Sequence, residues 1–170
     1  FNLLKHYSPV ARKEVRQALN CALNQRNLLD FTYKKEGRLN PSAFGEKECS
    51  LDASVVERTL KGLELNVATQ DSLLFLWKGI EYQLSMYGVK LHYTITTSEK
   101  EIYNLTQKNH KNIQDWDILI QNTQDWYGRH PWPVFIRYQE NNPWSFVHHD
   151  TMMESYIDQF FRIDQEDPLF

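Results

Sequence analysis

The stretch LELNVATQDSLLFLWKGIEYQLSMYGVKLHYTITT, residues 63–97, sets the architecture. Leu63, Leu65 and Val67 alternate with other residues, the period-two pattern of a strand with one buried face. From Asp71 to Tyr87 the spacing becomes helical, and Gly88 stops the helix. Leu73, Leu76, Trp77, Ile80, Leu84 and Tyr87 share one stripe of it, suited to covering a sheet. Val89 to Thr97 is rich in β-branched and aromatic residues and reads as a second strand. A strand, a helix of this length and another strand imply parallel pairing along a right-handed path. Phe75, Tyr82 and Met86 fall on the opposite side of the helix. They are either scattered surface hydrophobes, which are common, or a surface covered by a part of the protein outside this chain.

On the downstream side, Ser98-Glu-Lys-Glu101 is a capping box that starts a helix to about Lys108. Trp116 to Asn122 reads as a third strand. The expected class is therefore α/β, with a β-α-β-α-β core of parallel strands. Upstream, Ser8-Pro9 opens a helical pattern from about Ala11 to Asn24, with Val15, Ala18, Leu19, Ala22 and Leu23 on one face. A short helical stretch from Arg26 to Phe31 follows. Residues 34–50 hold Gly37, Pro41 and Gly45 and read as a loop. Ala53 to Leu60 reads as a short helix, with Asp52 as N-cap and Gly62 beyond its end. Toward the other terminus, Pro131 to Glu140 reads as helical. Met152 to about Asp164 reads as a helix capped by Asp150 or Thr151, the latter opening a second capping box with Glu154.

The 170 residues are 41% hydrophobic and 24% charged, which is globular and not disordered composition. Nineteen basic residues face 22 acidic ones, a net charge of −3. That balance argues against a dedicated nucleic-acid binder and gives no reason for electrostatic membrane binding. The longest apolar run, Leu73 to Trp77, is far too short to span a bilayer. Phe1 opens the chain and Phe170 closes it inside a helical stretch, so both ends read as cut. The cysteines, Cys21 and Cys49, are too few for a disulfide scaffold. Two unpaired thiols are expected, with a Cys21–Cys49 disulfide as the alternative in an oxidising compartment, because Cys21 lies off the apolar centre of its helix and can face the loop carrying Cys49.

Several of these segments carry a family resemblance. Val15-Arg-Gln-Ala-Leu-Asn-Cys-Ala-Leu-Asn24 resembles a helix of the family 5 extracytoplasmic solute-binding proteins, the oligopeptide, dipeptide and nickel receptors of ABC importers. Gly37-Arg-Leu-Asn-Pro41-Ser-Ala43 resembles the loop that follows it there. Leu51 to Gly62 is similar to that family's short helix ending in glycine. Ile80-Glu-Tyr-Gln-Leu84 with Tyr87-Gly88-Val89 resembles its helix-to-strand passage, and Trp116-Asp-Ile-Leu-Ile120 its next strand. The motifs run in order over most of residues 10–165. The resemblance implies a periplasmic-binding-protein-like lobe of type II. Residues 1–170 would be a single α/β lobe, the second of a larger two-lobed protein.

Open α/β sheets bind ligands beyond the carboxyl ends of their parallel strands. Here that rule selects Thr69-Gln70, Thr97-Ser98 and the segment from Asn122 to Trp132. The segment holds Asn122, Asp125, Trp126, Tyr127, Arg129 and His130, the candidate ligand-binding residues. Rings can stack and exclude water, while Asp125 pairs with an ammonium and Arg129 with a carboxylate. Asp125 and Trp126 best match the acidic and aromatic residues that the resembling family carries at this loop.

Rival chemistries are weaker. His148 and His149 are adjacent, so on an extended chain they point to opposite faces and do not share one ion. Asp115 and Asp117 flank Trp116 like a carboxylate pair, but Asp117 sits near a strand start, the wrong end for a site. No Gly-x-Ser-x-Gly, Walker or Cys-x-x-Cys motif is present. No enzyme activity, metal or cofactor is expected. The resemblance implies capture of a peptide or small molecule, with the missing N-terminal lobe and an ABC permease as partners. It also implies a periplasmic or cell-surface location, lipoprotein-anchored in the full-length protein. The alternatives are the sensor domain of a cytoplasmic transcriptional regulator built on this fold, and a nickel or metal-chelate receptor.

Overall fold

Three parallel strands organise the described residues: β1 (Glu64–Gln70), β2 (Lys90–Thr96) and β3 (Ile118–Leu119), in the spatial order β2-β1-β3. The computed structural model describes residues 1–34, 49–105, 107, 111–120 and 151–166. The β1–β2 register runs from Glu64 opposite Lys90 to Gln70 opposite Thr96. Val67 and Ala68 of β1 face Ile118 and Leu119 of β3. β1 is central and buried on both faces, as Leu65, Val67, Ala68 and Thr69 show.

Among the described residues the α-helices are α1 (Lys13–Ala22), α2 (Gln25–Tyr33), α3 (Ala53–Leu60), α4 (Leu74–Ser85), α5 (Glu99–Leu105) and α6 (Thr151–Glu166). α4 carries the chain from β1 to β2, and α5 lies between β2 and β3, as parallel pairing requires. One face of the sheet packs on Val15, Ala18 and Leu19 of α1, Val56 and Leu60 of α3, and Trp77, Ile80 and Leu84 of α4. On the other side Ala68 packs with Leu105, Ile113 and Trp116. Trp116 Nε1 donates to the Leu105 carbonyl at 3.0 Å, which satisfies the buried indole. In α6, Ile157 is buried while Met152 and Tyr156 are exposed.

The expected faces of α4 are the observed ones. Trp77 is 1% exposed, whereas Tyr82 is 71% exposed and Phe75 and Met86 are also outside. The helix opens with a 3-10 turn over Asp71–Leu73. It ends in a Schellman arrangement: Val89 N–H reaches the Leu84 carbonyl at 3.2 Å and Gly88 N–H the Ser85 carbonyl at 2.9 Å. Gly88 supplies the positive φ of +77° that this exit requires.

Some expected details shift. Asp52 has the extended backbone of an N-cap, but its side chain makes no capping bond; its carbonyl accepts from Val55 and Val56. Ser98 does cap, its Oγ accepting from Glu101 N–H at 3.2 Å. The described part of the third strand is Ile118–Leu119, within the Trp116 to Asn122 expected; Asp117 N–H already donates to the Asn66 carbonyl of β1 at 2.7 Å, and Asn122 lies outside the described residues. Thr151 is the first residue of α6 and not its cap. Asp150 and the helix expected over Pro131 to Glu140 lie outside the described residues.

The expectation of two free thiols is overturned: Cys21 and Cys49 form a disulfide with their Cα atoms 5.0 Å apart. The sequence separation is 28 residues, too far for helix periodicity to report the pairing. In the chain-entropy account, closing a loop of that size removes roughly 3–4 kcal/mol of unfolded-state freedom.

α2 sits on α4. Its N-cap Asn24 accepts from Asn27 N–H at 2.9 Å. Asn24 N–H donates to Gln83 Oε1 at 2.7 Å, and Gln83 Nε2 returns a bond to the Asn24 carbonyl at 3.3 Å. Close approach depends on Gly79, where a Cβ would lie 3.0 Å from Leu28 Cδ2 and 3.3 Å from Phe31 Cδ1. Phe31 stacks on Phe75 with ring centroids 5.1 Å apart.

Candidate functional site

The two ends of the sheet differ in chemistry. At the amino end, Asp117 is 1% exposed and accepts from Ser8 Oγ at 2.6 Å, Asn66 N–H at 2.8 Å and Asn66 Nδ2 at 3.3 Å. Lys5 Nζ completes the set at 3.0 Å. Asn2 adds bonds from its Nδ2 to the carbonyls of Ile113, at 2.6 Å, and Trp116, at 2.9 Å. Gln114 exchanges bonds with the backbone of His6 and Leu4. Asp117 and Lys5 hold each other in place here, so Asp117 is a structural anchor and not one of a catalytic carboxylate pair.

At the carboxyl end the crest is polar and open. Buried Thr96 donates from Oγ1 to the Thr69 carbonyl at 3.3 Å, and Thr69 Oγ1 donates to the Gln70 carbonyl at 3.2 Å. The first bond ties the ends of β2 and β1 together; the second stays within β1. Asp71 Oδ1 accepts from Ser72 N–H at 2.7 Å and sets the turn into α4. Asp71, Ser72 and Thr97 are exposed, and Gln70 and Ser98 are half-buried. Leu119 pairs with Ala68, so β3 delivers Ile120 beside Thr69 at the same edge. The crest offers hydroxyls, amides and one carboxylate. That set can hold a polar ligand by hydrogen bonds, and it contains no histidine or cysteine among its described residues that would serve as base or nucleophile.

Of the crest residues selected from sequence, Thr69, Gln70, Thr97 and Ser98 are at this edge. Thr96 joins them, missed because its burial depends on which face of β2 the sheet covers. Asn122, Asp125, Trp126, Tyr127, Arg129 and His130 lie outside the described residues, as do His148 and His149. Among the described residues no group of three His, Cys, Asp or Glu side chains could hold a metal ion. No helix among them is long and apolar enough to cross a membrane.

Two concavities open elsewhere, on the helical layer. A groove of about 740 Å³ runs between α2 and the second half of α4, lined by Leu23, Leu28, Phe31, Tyr82 and Met86 among others. A smaller cavity of about 300 Å³ is lined by Lys13, Arg16, Gln17, Asn20, Cys21, Cys49 and Ser50. Neither includes a crest residue.

No protein-family model matches the chain. No curated protein matches it either. Solved structures do match. AppA from Clostridium difficile is 19% identical with a TM-score of 0.75, over 95% of this chain and 36% of its own. NikA from Staphylococcus aureus, solved with Ni(L-His)2, is 13% identical with a TM-score of 0.70, over 91% of this chain and 36% of its own. The oligopeptide-binding protein AppA from Bacillus subtilis, solved with a nonapeptide, is 12% identical with a TM-score of 0.67, over 88% and 35%. The fold is thus the type II periplasmic-binding-protein-like α/β arrangement that the motifs implied. The chain spans about a third of the length of each of these neighbours.

Proposed function

We propose that this chain is the second α/β lobe of a two-lobed extracytoplasmic solute-binding protein of family 5, serving an ABC importer and capturing oligopeptides or dipeptides. The observation that carries this reading is the open, hydrogen-bonding crest at the carboxyl ends of parallel strands, on a fold shared with a receptor solved around a nonapeptide. Ligand contact is assigned to the segment after β3: Trp126 and Tyr127 stack, Asp125 meets an ammonium, Arg129 a carboxylate, and Asn122 and His130 add hydrogen bonds. The function is capture and not turnover. Two lobes close on the solute by hinge motion, and the closed form docks on the permease.

The Cys21–Cys49 disulfide favours this reading over a sensor domain in the cytoplasm, where thiols are kept reduced. It supports a periplasmic or cell-surface location, with lipoprotein anchoring of the full-length protein as part of the same proposal. A metal-chelate receptor is the second reading, favoured by the fold likeness to NikA with its nickel–histidine complex.

Native mass spectrometry of the full-length protein as purified, repeated on Trp126→Ala, tests the proposal. A ladder of co-purifying peptide masses that disappears in the variant is expected. A single discrete adduct or a metal would move the assignment to a chelate. A spectrum empty in both forms would overturn solute capture and favour the regulator.

A further inference from the structure

Thiol chemistry has a prepared address on this molecule. Cys49 is exposed and Cys21 half-buried, and both residues border the cavity of about 300 Å³ whose wall also carries Lys13 and Arg16. Arg16 is held in place by its Nη1, which donates to the carbonyls of Val10 and Ala11 at 2.8 Å each. Cys21 also lines the apolar groove between α2 and α4, so the disulfide forms part of both walls.

The bond spans the segment that contains α2, which is more lightly anchored than α1, the helix carrying Cys21. α1 buries Val15, Ala18, Leu19 and Ala22, but α2 buries only Leu28. The rest of its hold is the Asn24–Gln83 amide exchange at one end and the solvent-exposed Phe31–Phe75 stack at the other. A segment with so little burial opens at low free-energy cost unless its ends are tied.

We infer that the Cys21–Cys49 disulfide is a latch that seats α2 on α4, and that the Lys13–Arg16 cavity admits an anionic thiol to open it. A thiolate attacks Cys49 Sγ, the exposed sulfur; the S–S bond breaks and Cys21 leaves as a thiolate on the cationic wall. A second thiolate then displaces Cys49 from the mixed disulfide, leaving two protein thiols and one oxidised reagent disulfide. Positive charge in the cavity raises the local concentration of an anionic attacker and stabilises the departing Cys21 thiolate. Opening frees α2 and dismantles the groove, while the sheet with α1, α3 and α4 persists.

The test follows the native protein by intact mass and by amide exchange, with 3-mercaptopropionate, 2-mercaptoethanol and cysteamine as anionic, neutral and cationic probes. Rates are compared per thiolate. The expected result is a mixed disulfide at Cys49, with the anionic probe about threefold to tenfold faster than the cationic one. Lys13→Glu, an exposed position, should erase that preference. Amides of α2 should then exchange at least about tenfold faster while those of β1 stay protected. The double variant Cys21→Ser/Cys49→Ser should show the same exchange pattern without any thiol. A disulfide that reacts only after global unfolding would overturn the inference. So would unchanged α2 protection in the double variant, or a faster cationic probe, which would assign control to Glu48, the sequence neighbour of Cys49.

Discussion

The amino end of the sheet and the α2 segment attach peripheral chain to the same core by opposite means. The first eight residues are fastened through buried polar groups, with Asp117 accepting from Ser8, Lys5 and Asn66 at 2.6–3.3 Å. α2 is fastened by a ring stack and an amide exchange, within the stretch of chain that the Cys21–Cys49 bond closes. A buried network fails as a unit, since each lost acceptor strands donors that no longer reach water. A stack on the surface fails locally. The contrast marks where this molecule is free to move: the polar clasp belongs to the cooperative core, and α2 can come away without it.

Breaking the clasp should do the most damage. Asp117→Ala leaves the Lys5 ammonium and the Ser8 and Asn66 donors without their acceptor, and should cost about 3–5 kcal/mol. The shift of the urea midpoint measures it. A loss below about 1 kcal/mol would show that the network is not integral to the core. Phe75→Ala probes the α2 side. Removing the stack on Phe31 should cost about 0.5–1.5 kcal/mol. Exchange should accelerate in α2 and not in β1; acceleration in both would mean that α2 and the core are one cooperative unit.

The mildest change lies on the exposed first rung of the sheet. The Lys90 hydrogen bond, then His92, holds the Glu64 carboxyl below the usual glutamate range. A carboxylate with a depressed folded pKa adds stability at pH above its unfolded value, and loses it as pH falls through the folded one. Glu64→Gln should therefore lower the urea midpoint slightly at pH above about 5, and the two proteins should converge as pH falls below it. Urea midpoints from neutral to acid pH check this, and a deficit that persists or grows at acid pH would contradict it.

Much of this fold is legible in the order of the residues. The alternation of Leu63, Leu65 and Val67, the two-faced spacing of α4 and the Gly88 stop each lie within one short window, and each has the role expected of it. The placing of Asp117 near a strand start, at the end away from the crest, also stands. The crest is legible in part. Thr69 and Thr97 follow from strand ends alone, but Thr96 needs the face of β2 to be known. The candidate ligand residues from Asn122 to His130 rest on strand order and resemblance.

Local sequence was enough to set the kinds of element, their order, the apolar stripe of α4 and the α/β class. The reason is that backbone propensity and side-chain period act over a few neighbouring residues. Folding in three dimensions added the β2-β1-β3 order, the Cys21–Cys49 bond, the Asp117 clasp and the fit of Leu28 and Phe31 over Gly79. Those pairings join residues 26 to 114 positions apart, from the β1–β2 register to the bond between Asn2 and Trp116. No local period encodes such a pairing; it is set when helices and sheet compete to bury the same apolar faces and to satisfy the same polar groups.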